Sequence, residues 1–417
     1  MLSRVHLEQA LVWGCIALPW LALGYGVRFS LFGLPTTALE LALVGLFGVF
    51  TFARGIKGWQ VAWRDLPYRW LWLAWVLVGL VSAFVSPVFL KGLGVWRAFI
   101  FEPVLVLVLV QVVLREASQR RALVMSLFGA SLFVSMWALA QFVTGYGLRE
   151  PWQNVGWMDR RATGPFSYPN AVALFVAPIA ALAGAYVLRL FAKGKMWTAA
   201  CISRVVLSVA TAVTGLAACF AVKSDGGMIA LIAAWGIALL AYRWGRWLVG
   251  AGAVMAGTAL AFLPTLADAL WKNLTFQGWS GRVRVWMWTD TLAMLREHWL
   301  LGAGMAGYPV VFDAFHTKRF IEIFQYPHQI LLTAWSEVGL VGLMLFLMLL
   351  GTWAWRAWAG SRVFAGWVIG IAPLVAIMVH GLVDVPYWKN DLAVIFVLLW
   401  WLAGCLFEDF ERKKADG

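Results

Sequence analysis

Three short stretches carry residue types suited to an anionic substrate. The first is Arg160-Arg161-Ala162-Thr163-Gly164-Pro165-Phe166-Ser167-Tyr168-Pro169-Asn170. Gly164 and the prolines make a turn, and Asn170 stands where a helix cap belongs. Two arginines then lie over a helix N-terminus, whose free N–H groups and dipole also favour anions. The second is Ser280-Gly281-Arg282-Val283-Arg284-Val285-Trp286, with Gly302-Ala303-Gly304-Met305-Ala306-Gly307-Tyr308 downstream. A guanidinium pairs bidentately with phosphate oxygens. Arg282 and Arg284 are two apart, so on a helix they diverge by about 200° and one of them faces a given ligand. The glycine run is no nucleotide loop, since no strand precedes it and no Lys-Ser/Thr pair follows. The third stretch is Tyr326-Pro327-His328-Gln329, with Glu337 farther along. A histidine at a helix mouth is either a general base or a hydrogen-bonded structural group. His298, His316 and His328 are spaced 18 and 12 apart without an HExxH pattern, so they do not read as a zinc site.

The elements that position these residues are set by composition. Of 417 residues, 63% are hydrophobic and 13% charged, against about 45–50% and roughly 25% in soluble domains. That excludes a soluble globular chain, a disordered one and a disulfide scaffold. It predicts an all-α, polytopic integral membrane protein. Twelve apolar runs approach the roughly 20 residues a span needs, near 9–27, 34–53, 70–87, 93–114, 122–145, 167–188, 196–221, 227–242, 247–264, 329–352, 363–382 and 391–408. Pro103 and Pro178 interrupt two of them, which membrane helices tolerate. With no repeat and no low-complexity linker, residues 1–417 form one membrane domain. The first run has no clear cleavage site and reads as a retained helix. Cys15, Cys201, Cys219 and Cys405 fall in apolar stretches as small core residues.

Lys and Arg in short loops set orientation. With Arg4 inside, the inside connections carry Arg54, Lys57, Arg64 and Arg69, then Arg115, Arg120 and Arg121. Arg189, Lys193, Lys195 and Arg204 follow, then Arg243 and Arg246, Arg356 and Arg362, and Arg412, Lys413 and Lys414. Much of the +13 net charge is therefore topology signal, and no nucleic-acid partner is implied. Two outside loops are long, about 144–166 and 265–328, and long ordered loops are usually functional. They and a shorter outside turn hold Arg149, Arg160, Arg161, Lys223, Lys272, Arg282, Arg284, Arg296, Lys318 and Arg319 against the bias. These bind an anionic ligand, or they are solvated charges paired with Glu150, Asp159, Asp268, Asp290 and Glu297. From Arg282 to Leu300, Trp286, Met287, Leu292, Leu295 and Trp299 can share one side, which predicts an amphipathic helix on the membrane–water boundary. Trp152, Trp157, Trp271 and Trp279 suit that boundary as anchors.

Arginines and a histidine at helix mouths on one face fit a substrate with an anionic group at headgroup level and a lipid tail. A lipid-linked diphosphate sugar meets that description. The competing reading is a transporter, whose ionisable groups belong near mid-membrane. Glu40, Glu102 and Glu337 are the interior carboxylates, and Glu40 has no basic partner at similar depth in the sequence.

The order of motifs resembles the bacterial O-antigen ligase/polymerase superfamily of integral membrane glycosyltransferases. The matching pieces are Arg161-Ala162-Thr163-Gly164 with Pro169-Asn170, Ser224-Asp225-Gly226-Gly227, Ser280-Gly281-Arg282 with Trp286, and Gly302-Ala303-Gly304. His328-Gln329 with Glu337-Val338-Gly339-Leu340-Val341-Gly342, and His380-Gly381-Leu382-Val383-Asp384, complete the series. The resemblance implies about twelve helices with a large periplasmic loop at 265–328, in the inner membrane. It implies transfer of a glycan from an undecaprenyl-diphosphate-linked donor to lipid A–core, amid membrane lipids, with no metal and no cofactor. His328 is the expected catalytic residue and Arg282 the expected diphosphate ligand, with Arg161, Arg284 and Lys223 as further candidates. A family arginine in a Ser-Arg-Gly pattern is replaced here by Asp225, and Lys223 or Arg161 is expected to supply that cation. An O-antigen polymerase shares the donor and differs in acceptor. A protein O-glycosyltransferase fits less well, because no large domain follows the last span. A neutral His takes the acceptor's proton near neutral pH. An Arg about 4 Å from the departing diphosphate contributes roughly 4 kcal/mol at an effective dielectric near 20, so fixed arginines can do a metal's neutralising.

Overall fold

A computed structural model describes residues 4–31, 34–148, 150–153, 155–192, 198–359 and 367–405. Arg149, Lys193, Lys195, Arg362, Arg412, Lys413 and Lys414 lie outside the described residues. The chain is a multi-pass helical membrane protein. Its helices are α1 (Arg4–Ala22), α2 (Ala38–Arg64), α3 (Arg69–Val85), α4 (Phe89–Trp96), α5 (Glu102–Val113), α6 (Ala117–Thr144), α7 (Pro169–Ala192) and α8 (Ala199–Ala221). Then come α9 (Asp225–Leu240), α10 (Arg243–Phe262), α11 (Pro264–Leu274), α12 (Trp279–Glu297), α13 (Tyr308–Phe312), α14 (Ile330–Ala359), α15 (Val368–Gly381) and α16 (Asn390–Cys405). A π turn, Arg97–Phe101, joins α4 and α5 into one span. Among the described residues, eight segments are long and apolar enough to cross a membrane, and α3, α9, α15 and α16 are shorter apolar helices. Together they occupy the twelve apolar runs of the sequence.

The start of the second span differs from expectation. Leu34–Thr37 is a strand, β2, paired antiparallel with β1 (Arg28–Leu31). Pro35 and the β-branched Thr36 and Thr37 disfavour helix. Thr37 then caps α2: its side chain accepts from Glu40 N at 3.2 Å while Glu40 Oε2 accepts from Thr37 N at 2.8 Å.

Glu40 does have a basic partner. Arg97 Nη2 lies 2.5 Å from Glu40 Oε1, and Arg97 Nε lies 3.3 Å from Glu102 Oε1. Helix packing, not sequence proximity, brings these charges together, and the thin case for a mid-membrane proton path weakens accordingly.

A large apolar core fills the bundle, and a second, smaller cluster lies in the loop between α10 and α14. The α12 helix serves this second core. Met287, Met294 and Leu295 are buried with Tyr308 and Phe312, while Leu292 and Trp299 are 43% and 52% exposed. The side expected to lie on the membrane boundary is therefore divided: Met287 and Leu295 turn into this core, while Leu292 and Trp299 stay exposed. Asp290 and Thr291 are buried too, because they bond within the loop.

This loop is hooked onto a break in α14. At Gly339 the backbone turns left-handed (φ +69°), and Leu340 N donates to Leu300 O at 3.1 Å. Ala303 N donates to Ser336 O at 2.7 Å, and Glu337 Oε2 accepts from Ala306 N at 2.6 Å. A Cβ at Gly302 or Gly339 would strike the carbonyls of Ser336 or Leu300. Both positions need glycine for approach as well as for φ.

Candidate active site

The helix ends at one end of the bundle bring five side chains together. The Arg160–Asn170 turn is tied down first. Gln141 Oε1 accepts from Thr163 N and Gly164 N at 3.0 and 2.7 Å, and Ala162 N donates to Ala221 O at 3.2 Å. Arg161 therefore reaches Val222 O through Nε at 3.0 Å and Asn170 Oδ1 through Nη2 at 2.8 Å. Asn170, at the start of α7, donates from Nδ2 to Asp384 Oδ2 at 2.9 Å. Asp384 follows α15 and is 3% exposed.

The mouth of α14 is pinned from two sides. Trp288 Nε1 on α12 donates to Pro327 O at 2.8 Å, and the Tyr326 hydroxyl donates to Trp388 O at 3.1 Å. Gln329 Oε1 accepts from Leu332 N at 2.5 Å and caps the helix. Between these pins His328 holds a left-handed backbone, φ +49°. A non-glycine residue there costs about 1–2 kcal/mol, which the pins offset. The twist sets His328 Nδ1 3.3 Å from Asp384 Oδ1. The ring is 27% exposed and packs edge-on to Phe324, with centroids 5.2 Å apart.

Burial opposes ionisation of Asp384. The hydrogen bond and charge of His328, the charge of His380 and the Asn170 amide outweigh it, holding the carboxyl well below its usual range. An ionised carboxylate only accepts, so Nδ1 of His328 carries the proton, and in the neutral ring Nε2 is left as an acceptor. That is the protonation state of a general base whose ring is oriented by a carboxylate.

The cations divide. Arg284 donates from Nε to Val383 O at 3.0 Å and from Nη1 to Ser280 Oγ at 2.7 Å, which places it beside the Asp384 connection. Burial lowers the pKa of Arg161, the charge of Arg284 lowers it further, and Asp225 opposes both. The two guanidiniums thus share one neighbourhood. Arg282 is exposed, 5.9 Å from the Trp279 ring, with no hydrogen-bond acceptor among the described residues. Lys223 pairs with Asp159 at 3.6 Å, Lys272 with Asp268 at 2.6 Å and Arg319 with Asp313 at 2.5 Å. Those three are paired loop charges. Of the two candidates to replace the family arginine at Asp225, Arg161 stands in the cluster and the Lys223 ammonium turns to Asp159.

The structure thus joins Arg161, Arg284 and His328, and leaves Arg282 and Lys223 outside their hydrogen-bond network. Sequence reasoning assigned no role to Asp384, and it read Asn170 only as a cap. Their presence in motifs was the available signal, but 56 residues separate His328 from Asp384. Ser224 Oγ, which caps α9 by accepting from Gly227 N at 3.2 Å, meets His380 Nε2 at 3.5 Å behind the site. Among the described residues no three of His, Cys, Asp and Glu gather as a metal-ligand set.

Chemically, the cluster offers an acceptor nitrogen for a hydroxyl proton beside fixed positive charge. Residues 210–347, about a third of the chain, match the family model described as O-antigen ligase. No curated protein matches the chain. The matched segment contains Lys223, Arg282, Arg284 and His328. Arg161, Asn170 and Asp384 lie outside it and are joined to it by the geometry above.

Proposed function

We propose, from that family match, that the protein is an O-antigen ligase, moving the O-antigen glycan from undecaprenyl diphosphate to lipid A–core. The observation that carries the reading is the His328–Asp384 pair at helix mouths, flanked by Arg161 and Arg284. An acceptor hydroxyl attacks the anomeric carbon of the donor glycan. Its proton passes to Nε2 of His328, while Asp384 holds the ring and stabilises the imidazolium. The bond from the anomeric carbon to the diphosphate breaks, and the electron pair leaves with undecaprenyl diphosphate. Arg161 and Arg284 are fixed charges near that oxygen. Arg282, with its fork free, closes on the diphosphate from the loop, and Lys223 adds long-range attraction. The step asks for no cofactor or metal, since arginines neutralise the leaving group.

This reading places the chain as one membrane domain in the bacterial inner membrane, with the 265–328 loop and the site facing the periplasm. The basic connections assigned to the opposite side, among them Arg54, Lys57, Arg64 and Arg69, then Arg115, Arg120 and Arg121, support it. Cysteines introduced in that loop are expected to react with impermeant maleimide without opening the inner membrane. Labelling only after opening overturns the orientation. The second reading is an O-antigen polymerase, which the same cluster serves. A deletion strain separates them by its lipopolysaccharide pattern. Loss of every O-antigen band with lipid-linked polymer retained supports the ligase. A single repeat on the core indicates the polymerase.

A further inference from the structure

A cavity of about 140 Å³ lies at the same end of the bundle, beside the catalytic cluster rather than in it. Tyr25, Arg28, Ser167, Tyr168, Lys389 and Asp391 line it. Its rim is open, since Arg28 and Ser167 are exposed. Its floor is polar and buried. Asp391 is 2% exposed, and its Oδ1 has no hydrogen-bond partner among the described residues. The Lys389 ammonium gives its contact to Tyr168 instead, bonding the hydroxyl and lying 3.7 Å from the ring centroid. Arg28 stacks on Tyr25 at 4.9 Å.

A buried carboxylate oxygen without a partner costs free energy unless a ligand or water donates to it. The volume is roughly ten times what one water needs. The lining then selects the occupant. An acyl chain is refused by the charges. A phosphate pairs with Arg28 and Lys389 but brings no donor to the buried Asp391 carboxylate and meets its charge. A metal ion meets one carboxylate and two cations. A hydroxyl-rich ring fits the lining: one hydroxyl donates to the Asp391 carboxylate, another accepts from Lys389, and its C–H face packs on the tyrosines, Phe166 and Pro165.

Two covalent links tie the cavity to the reaction centre. Tyr168 precedes Asn170 in one turn, and Lys389 shares the 382–389 connection with Asp384. We infer that this cavity is a sugar subsite, holding one ring of a glycan substrate whose reacting end lies at His328. The inference rests on the glycosyl-transfer reading. Its chemistry is common to the donor glycan and the core acceptor, which the experiment distinguishes.

The probes are two lipid-free oligosaccharides of the host: core freed of lipid A, and O-antigen repeat freed of undecaprenyl diphosphate. Their binding to the full-length protein in nanodiscs is followed by saturation-transfer NMR, alongside transfer kinetics with intact substrates. One of the two is expected to bind wild type and to weaken at least tenfold in Asp391→Asn and Lys389→Met. The same substrate's KM rises by a similar factor while kcat stays within about threefold. The oligosaccharide affected names the source. Should Asp391→Asn fail to fold, the exposed-rim variant Arg28→Ala carries the test, with an expected loss of about threefold or more. Wild type binding neither oligosaccharide, or folded variants binding as well as wild type, overturns the subsite. Binding lost in Asp391→Asn with no transfer by wild type keeps the subsite and removes the transferase reading. Transfer unchanged in every variant does the reverse.

Discussion

Two histidines of the loop region each lie against an aspartate, and the pairs differ in how open each ring is. His316 lies 3.9 Å from Asp290, both 7% exposed. Its Nε2 is bonded to Ile321 O at 2.9 Å, and its ring packs on Phe312. Asp290 is committed to Thr317, accepting from its N at 2.9 Å and from Oγ1 at 3.0 Å. This pair stitches the small loop core together. His328 has its Nδ1 on an ionised Asp384 and its Nε2 free in a partly open ring, with arginines beside it. The same residue types make a rivet in one place and, on the proposed reading, a base in the other. His316 Nδ1 also lacks a hydrogen-bond partner among the described residues but is sealed in the loop core, so what sets His328 apart is an unfilled nitrogen in an open ring with positive charge beside it.

The largest expected effects exchange the two histidines. His328→Ala is expected to lose about 10²–10⁴-fold in reconstituted transfer, with its thermal midpoint nearly unchanged. His316→Ala is expected to retain transfer within severalfold and to lose about 1–3 kcal/mol of stability, from the bond to Ile321 and the loosened ring contact. The reverse pattern breaks the comparison. Asp384→Asn sharpens it. An amide can donate to Nδ1 and select the wrong tautomer, so kcat is expected to drop about 10²-fold or more with donor KM little changed.

Arg282→Ala is expected to cost about 10²–10³-fold in kcat/KM, from a charge interaction of roughly 4 kcal/mol at most. Lysine is expected to restore it poorly for want of the planar fork. Arg284→Ala is expected to match or exceed that loss, because Arg284 also anchors the Val383 carbonyl next to Asp384. A chelator is expected to leave wild-type transfer intact, and activity lost and regained with added metal would overturn neutralisation by arginine.

Acid gives a smaller effect. Asp384 is held below the ordinary carboxyl value near 4. Its stabilisation is therefore complete above that value and fades as pH falls through the lower, folded one. Below about pH 4 the wild-type midpoint is expected to fall more steeply with acid than that of Asp384→Asn. The smallest effect belongs to Lys223→Ala, within about threefold, since its charge is spent on Asp159 at the surface.

The spans were legible because apolar runs of bilayer length need no tertiary information. The cluster's cations and base were legible as types at helix mouths. Their partnership was not. Asp384 reaches His328 because α15 and α14 end at one level, a relation that no local spacing encodes. Asn170 reads as a cap from its position, but its amide also bridges Arg161 to Asp384. The hydrophobic period of α12 pointed to a membrane surface, while the loop supplied its own core and drew in Asp290 and Thr291. The Gly302 and Gly339 motifs stood among the pieces of the family resemblance, without a role of their own. They are the hook and eye that set the loop on α14, and with it the pins on His328.

The order in which the site's parts leave the ribosome has its own meaning. Arg161 and Asn170 come early, the arginines of α12 and His328 later, and Asp384 only after α15 has been delivered to the membrane. Until that final connection is threaded across, a nascent chain has a histidine with no carboxylate to fix its proton. It also has an α14 mouth without the Trp388 carbonyl that pins Tyr326. On the proposed reading, a half-made protein therefore lacks the carboxylate that orients the base. Full reactivity would begin only when insertion is nearly done.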